Sequence, residues 1–327
     1  MRNPRTASIT QPPTGLYQGY DSFLGQVRDV AISGTSNQVN AQSTILVSVC
    51  TDTDSVTEAL NISGGLSGSF SDVSFAAKAS WAESLSLTST SVAVIVHSVI
   101  ITGETQANSY ALSITPPSDV QGFFADYGDS FVSEIVLGGE YYAAFVFDSV
   151  TVGQQQQIQV QVSGSGGPLS ASLSTTINTA STSTQTSLRT SQQMLGVSTP
   201  SFPNADPDSI VTFALSFGSQ SINAPTVLCY AVTGYEHVAS VPAGFQSVVS
   251  NRNLLGTASS TPFVQASATL SSLSSQVATI QQMYSAYGYS GDTLFAANAA
   301  QVSQDVTALN QLITSIEANA TGTYTAP

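Results

Sequence analysis

The sequence predicts an α+β fold, with a body of strands followed by a helical hairpin at the C-terminal end. Runs of β-branched residues recur between residues 44 and 231, a pattern typical of buried strands. From Ala268 to Thr321 the apolar residues change to helical spacing. With 327 residues, the chain is long enough for one large domain or two ordinary ones.

Charged side chains are scarce, and the few present are mostly acidic. They make up 8% of the chain, against about a quarter in ordinary globular proteins. The net charge is −14, with only six Lys and Arg residues in total. Binding to nucleic acid through phosphate contacts is therefore excluded as a function, and electrostatic capture by anionic lipid is disfavoured. Any membrane binding would have to be apolar, or use a neutral head group, a sterol or a protein receptor.

The N-terminal residues have no apolar segment of the kind that signal peptides contain, and no apolar run approaches the 18–20 residues of a spanning helix. We therefore expect a cytoplasmic protein, or one released by a non-classical route, that then associates with a membrane.

Cys50 and Cys229 lie in apolar, strand-like surroundings and are expected to be buried free thiols.

Five segments read as strands because they are rich in β-branched and aromatic residues. They are Thr44 to Cys50, Ser91 to Thr102, Glu134 to Phe147, Ile210 to Phe217 and Thr226 to Ala231.

The segment from Val73 to Leu87 fits both a strand and a helix. Apolar residues alternate with polar ones along it, broken only by Glu83, as in a long amphipathic strand, and Lys78 lies on the polar face. Ala77, Trp81 and Leu85 also lie four residues apart, which is a helical stripe.

A second alternating segment follows Val150 and is almost uncharged, with Arg189 as the only charge between Asp148 and Asp206. Apolar residues alternate with polar ones on both sides of a Ser-Gly-Ser-Gly-Gly-Pro turn, between Ile158 and Ile177. This predicts two amphipathic strands, although a Ser/Thr-rich exposed hairpin or linker has the same composition.

The tail has two stretches of helical spacing separated by the turn residues Tyr287 to Asp292. We predict an antiparallel helical hairpin that packs on the sheet.

Catalytic chemistry has little support in the sequence. His97 lies in a β-branched strand and is expected to be a satisfied core or edge residue, and neither it nor His237 has metal-ligand neighbours at the usual spacing. Nucleotide-binding and nucleophile-elbow motifs do not occur. No catalytic residue, metal or cofactor is predicted, and we expect that the chain is not an enzyme.

One constellation is specific. Tyr127, Gly128 and Phe131 are followed after six residues by Gly138 and Gly139. This resembles the signature of the membrane attack complex/perforin (MACPF) family, Tyr-Gly-Thr/Ser-His-Phe/Tyr followed six residues later by Gly-Gly. Asp129 and Ser130 stand where the family has Thr/Ser-His. Paired glycines inside an apolar strand also indicate a bulge, a bend or a close backbone approach.

The resemblance implies a MACPF-like fold, as in small fungal and bacterial members of the family. Such a fold has a bent sheet of four antiparallel strands, flanked by two helical clusters that can unfold into membrane-spanning hairpins. Here the clusters would be Asp52 to Thr88 and Val150 to Pro207, and Ile210 to Phe217 would be the fourth strand. The MACPF-like domain would cover residues 1–257, and the helical hairpin residues 258–327.

The function expected from the resemblance is self-assembly on a target membrane, through a lipid or a receptor, into a β-barrel pore. The alternation supports this, because a barrel strand needs about ten residues that face lipid and lumen in turn. A non-lytic binding or structural protein of the same fold is the alternative. The candidate inserting residues are Val73, Phe75, Trp81, Leu85, Leu87, Ile158, Val160, Val162, Leu169, Leu173 and Ile177.

Overall fold

The structure is a computed structural model that describes residues 13–325 apart from 40–41, 61–69, 73–74, 116–118, 149–150, 165–171, 240, 255–273, 275, 285 and 289–292. Its strands are β1 Gly19–Asp21, β2 Gln26–Arg28, β3 Ile32–Val39, β4 Gln42–Cys50, β5 Phe70–Asp72, β6 Val92–Leu112, β7 Ser130–Asp148, β8 Ser187–Leu195 and β9 Thr226–Gly234. Its helices are α1 Thr53–Ala59, α2 Phe75–Ser84, α3 Val120–Tyr127, α4 Val152–Gly164, α5 Ser172–Thr184, α6 Pro207–Phe217, α7 Phe245–Leu254 and α8 Thr293–Ala318.

Four strands form the centre of the sheet, in the order β4, β6, β7, β8. Strand β4 is antiparallel to β6, with Gln42 opposite Ile101 and Cys50 opposite Ala93. Strand β8 is antiparallel to β7, with Leu195 opposite Glu140. Helices α1 and α2 lie between the first two of these strands along the chain, and α4 and α5 lie between the last two. The predicted α+β class, with two helical clusters inserted into a sheet, is confirmed.

The predicted fourth strand, Ile210 to Phe217, is wrong, because this segment forms α6. The side chain of Asp206 accepts a hydrogen bond from the backbone N–H of Ser209, and Pro207 begins the helix, which are both strong helix-start signals. The residues buried along α6 are Ile210, Val211, Ala214 and Phe217, at helical spacing. The fourth strand is β8, so the second cluster ends before Ser187 and not at Pro207.

The other four of the five segments rich in β-branched and aromatic residues are confirmed as strands, and each extends beyond the predicted range at one end or both. Strand β6 continues to Leu112 and β7 begins at Ser130. Cys50 and Cys229 are both buried and neither forms a disulfide, as expected.

The chain divides into two units, and the inserted clusters belong to one of them. Unit 2 comprises Asn37–Gln106 and Ile135–Tyr230. Its sheet buries residues on both faces because successive side chains in a strand point to opposite sides. Val92, Val94 and Val96 pack in one cluster with α4, α5 and α6, while Ala93 and Ile95 pack in another with α1 and α2.

Unit 1 comprises Met1–Ser36, Ala107–Glu134 and Ala231–Pro327. Its core is largely aromatic, with Phe123 in edge contact with Tyr235 and Phe245. The C-terminal end of α8 joins this core through Ile316, which is fully buried. Gln121 in α3 donates a hydrogen bond to the carbonyl of Glu317, which ties the two helices together.

Both helical stretches of the predicted C-terminal hairpin are helical where the structure describes them. Residues 276–284 are helical and precede α8, and the ring of Tyr284 lies 5.2 Å from that of Phe295. Residues 268–273, 275, 285 and 289–292 of the predicted hairpin lie outside the described residues. The predicted division of the chain at residue 257 remains a prediction.

Candidate functional site

Helix α2, in the first cluster, is fixed to the sheet by a stripe that differs from the predicted one. Ala77 is exposed and Trp81 is half-buried, whereas Lys78, Ala82 and Leu85 are buried. The buried stripe therefore passes through Lys78, which the alternation had placed on the polar side. A lysine is almost never fully buried unless it is paired, so its partner defines the site.

That partner is Glu140, the residue that follows the two signature glycines in β7. The Nζ atom of Lys78 lies 2.8 Å from Oε2 of Glu140, and both side chains are buried. The same oxygen lies 2.8 Å from Nε2 of His97 on β6. Burial disfavours the charged carboxylate, but the hydrogen bond from His97 and the charge of Lys78 outweigh it and hold the pKa of Glu140 below its usual range.

The expectation that His97 is a satisfied core residue is confirmed at Nε2, whereas Nδ1 has no hydrogen-bond partner within the described ranges. Sequence reasoning missed Lys78 and Glu140. The signal that could have found them is that Lys78 is the only lysine of the chain and stands in an otherwise apolar and small-residue segment.

Trp81 fastens the same helix to strands β7 and β8. Its indole Nε1 donates a hydrogen bond to Oγ of Ser191 on β8, at 3.0 Å. Its ring meets Tyr142 edge-on, with centroids 4.9 Å apart. Just beyond the helix, Nη2 of Arg189 donates to the carbonyl of Leu85 at 3.0 Å and also to Asp148. The first cluster is therefore held by polar contacts as well as by apolar packing.

The second cluster covers the other face of the sheet with two helices, where the sequence predicted two strands. Ile158 and Val162 are buried under α4, and Leu173 and Ile177 under α5. Val160 is 71% exposed, because it lies on the opposite side of the helix from its two neighbours in the alternation. In a helix, residues four positions apart share one face and are buried together, whereas a strand would place Ile158, Val160 and Val162 on one face. The interpretation as strands is wrong for the folded chain.

The remaining candidate inserting residues are only partly described. Leu85 is buried and Leu87 is half-buried against the first cluster. Phe75 begins α2. Val73 and Leu169 lie outside the described residues.

The first half of the signature is built into unit 1. Tyr127 ends α3, and Gly128 follows it with φ of +80°, a conformation that L-residues rarely adopt. Phe131 is buried, with its ring centroid 4.9 Å from that of Tyr110.

The departure from the family signature at Asp129 and Ser130 has a local structural reason. Asp129 is buried and accepts hydrogen bonds from the backbone and the hydroxyl of Ser22, each at 2.7 Å. The hydroxyl of Ser130 also donates to it, and Arg252 lies 3.4 Å away. Burial and the nearby Asp129 charge raise the pKa of Asp21 to about 6. Asp129 and Ser130 thus take part in a network of charged and polar side chains inside unit 1.

The glycines of the second half allow the strands of unit 2 to approach closely. A Cβ on Gly138 would lie 1.9 Å from the carbonyl oxygen of Ile100 on β6, a distance that no side chain can occupy. A Cβ on Gly139 would meet the tip of Ile222 at 2.7 Å and the carbonyl of Leu195 at 2.9 Å. The predicted close approach is confirmed, and Gly138 is the more restricted of the two positions.

Gly138→Ala is therefore expected to destabilise the protein by about 3 kcal/mol, because the backbone of β6 must move to admit the new carbon. Gly103→Ala in β6 is the matched control, since a Cβ there has nothing within 4 Å, and its effect should stay within about 0.5 kcal/mol. Urea unfolding of both variants measures the difference. Equal stabilities would show that the paired glycines have no special packing role.

Two other kinds of site are absent among the described residues. No group of three or more His, Cys, Asp or Glu side chains there could hold a metal ion. None of the helices in the described ranges combines the length and the apolar character needed to cross a bilayer.

The topology now defines the class. An antiparallel four-stranded centre, a helical cluster inserted after its first strand and another after its third, and the Gly-Gly pair in the third strand are the features stated above for the MACPF family. The fold of this chain is α+β and MACPF-like.

No family profile and no curated protein sequence matches the chain. Among solved structures it is similar to stonustoxin, with 11% identity, a TM-score of 0.38, and coverage of 95% of this chain and 44% of that one. It is also similar to pneumolysin, with 11% identity, a TM-score of 0.36, and coverage of 61% and 41%. A third similar structure is a putative cell invasion protein with a MAC/perforin domain from Bacteroides thetaiotaomicron, with 12% identity, a TM-score of 0.31, and coverage of 71% and 52%. The chain thus spans about half or less of the length of these three proteins.

Proposed function

We propose that this protein forms pores, by assembling in many copies on a target membrane and inserting its two helical clusters as amphipathic β-hairpins. One observation carries the proposal. In α4 and α5 the chain is helical, yet its sequence alternates as a membrane-spanning strand does. A segment that must adopt both structures needs a sequence compatible with both.

The packing of α4 supports the proposal, because this segment would bury more apolar surface as a strand in lipid than it does as a helix. As a helix it leaves Val160 and Val152 exposed, at 71% and 70%. As a strand in lipid, Ile158, Val160 and Val162 would all face the hydrocarbon, at about 25 cal/mol per Å² of apolar surface removed from water. Neighbouring copies would supply the backbone hydrogen bonds, since open strand edges are not tolerated in a bilayer.

The near absence of charge in the second cluster lowers the cost of this step. No charged residue occurs between Asp148 and Arg189. A charge at the bilayer centre costs about 2.5–3.5 kcal/mol or more, so an uncharged hairpin inserts more readily. The net charge of −14 favours a membrane recognised through a neutral head group, a sterol or a protein receptor.

Dye release from liposomes of varied lipid composition tests the proposal, with electron microscopy of the same samples for rings. We expect release together with ring-shaped assemblies on at least one composition. The fluorescence of Trp81, the only tryptophan of the chain, should shift toward an apolar environment in the leaking samples. Binding without release on every composition would instead indicate the non-lytic binding protein.

A further inference from the structure

The first arm of the C-terminal hairpin carries a row of large apolar and aromatic side chains near its turn. Residues 276–284 are helical, and the backbone N–H of Tyr287 donates to the carbonyl of Met283 at 3.0 Å, which extends the helical hydrogen bonding to Tyr287. Gly288 follows with φ of +77°, the left-handed conformation that commonly ends a helix. Four side chains at positions i, i+3, i+4 and i+7 make up what we call the tip stripe, namely Ile280, Met283, Tyr284 and Tyr287.

The tip stripe is exposed, although its spacing is that of a helix face that normally packs against a core. The exposed fractions are 40% for Ile280, 53% for Met283, 37% for Tyr284 and 76% for Tyr287. The ring of Tyr284 also lies 5.2 Å from that of Phe295, which holds the stripe against α8. Single exposed apolar residues are ordinary, whereas a continuous exposed row of them marks an interaction site.

The surroundings of the stripe carry no charge to offer an ionic partner. No charged residue occurs between Arg252 and Asp292, or between Asp292 and Asp305 in α8. The chain as a whole has a net charge of −14, so this uncharged stretch differs from the rest of the molecule. The surface that it complements best is therefore an electrically neutral one.

The area of the stripe is too small for a stable dimer. The four side chains expose about 400 Å² together, taking about 200 Å² for each fully exposed large side chain. A stable protein interface buries about 800 Å² on each partner. Binding to a lipid surface needs no such minimum, because its strength scales with whatever apolar area enters the boundary between head groups and acyl chains.

The types of side chain also favour lipid over protein as the occupant. Tyr284 and Tyr287 each combine an apolar ring with a polar hydroxyl, and tyrosine is enriched at the level of the head groups in membrane proteins. Met283 has a flexible apolar side chain that adapts to an irregular surface such as packed acyl chains.

We propose that the tip stripe first attaches the protein to its target membrane, by burying its apolar side chains among electrically neutral head groups such as phosphatidylcholine. This inference deepens the proposed function and rests on it, because it names the part of the chain that meets the target membrane before the helical clusters open.

Flotation of the protein with phosphatidylcholine liposomes measures attachment, whether or not the liposomes leak. Met283→Ser combined with Tyr287→Ser removes the two most exposed side chains of the stripe. We expect the partition coefficient of this double variant to fall by about tenfold or more. For the unmodified protein, raising the salt concentration from about 0.1 M to about 1 M should change it by less than about twofold, because salt screens only charged contacts.

Two control variants should float as well as the unmodified protein. Phe202→Ser removes an aromatic side chain that is 45% exposed outside the hairpin. Gln282→Ser changes an exposed residue of the same helix on the side opposite the stripe. Because every substituted side chain is exposed, the urea midpoints of all variants should match that of the unmodified protein, which separates lost attachment from lost folding.

Attachment of the double variant equal to that of the unmodified protein would overturn the inference, as would the absence of flotation of the unmodified protein with phosphatidylcholine. Self-association of the unmodified protein without lipid, lost in the double variant, would also overturn it, because the stripe would then be an interface between copies. Stripe-dependent flotation without dye release on any composition would refute the proposed pore and leave the attachment standing. Equal flotation and equal release by the unmodified protein and the double variant would refute this inference alone.

Discussion

Val160→Lys is expected to abolish dye release while leaving the folded protein unchanged. In the folded chain this side chain is 71% exposed on α4, so a lysine there meets water and should cost little. In a barrel strand that places Ile158 and Val162 against lipid, residue 160 faces lipid too. A lysine at that depth costs about 2–4 kcal/mol for each copy, and the assembly contains many copies. Release from liposomes and urea unfolding, measured on the same preparation, separate the two effects.

The adjacent residue offers a matched control. Gln159 is also exposed on α4, but the alternation would turn it toward the lumen. Gln159→Lys should therefore retain release within about twofold, because a lumen-facing charge stays in water. If both variants leak as well as the unmodified protein, α4 does not insert as a strand. If both lose release, the loss has another cause than the lipid-facing alternation.

Lys78→Met should lower the free energy of unfolding by about 3–5 kcal/mol. The change removes one partner of a buried ion pair. Of the two partners described above, the Glu140 carboxylate then keeps only His97. Adding Glu140→Gln should restore much of the loss, since the buried carboxylate is then removed as well. A double-mutant cycle in urea measures this coupling. Additive effects of the two substitutions would mean that the pair does not stabilise the fold.

The lowered pKa of Glu140 also predicts the pH range in which acid weakens its pairing with Lys78. Because the pKa of Glu140 is held below the usual 4.5, its contribution to stability is present above that pH and is lost as pH falls through the lower value of the folded state.

Local sequence patterns were enough to predict much of the fold. Strands β4, β6 and β7 were predicted because each contains a run of β-branched or aromatic residues, and β6 and β7 are buried on both faces over much of their length. Strand β8 was missed because it is polar, with Ser191 and Gln192 at its middle, and resembles a loop in composition. The error at α6 came from weighing its apolar residues above the capping signal of Asp206.

The charge centre of the site could not be predicted in the same way. Lys78, His97 and Glu140 come from three elements far apart along the chain, and only the pairing of β6 with β7 brings the last two together. The alternation placed Lys78 on a polar face, where a lysine would be solvated. Its pairing depends on the rotation of α2 about its own axis, which tertiary packing decides.

The strand boundaries also set the reach of each hairpin in the proposed pore. The first cluster occupies residues 51–91 between β4 and β6, and the second occupies 149–186 between β7 and β8. Folded back on itself as two strands, either segment gives arms of roughly 20 residues, or about 65 Å at 3.3 Å per residue. A bilayer core of about 30 Å uses only half of that length. The barrel wall would therefore continue well above the head groups, and the folded body would stand clear of the lipid surface, with no need to touch it while the hairpins cross.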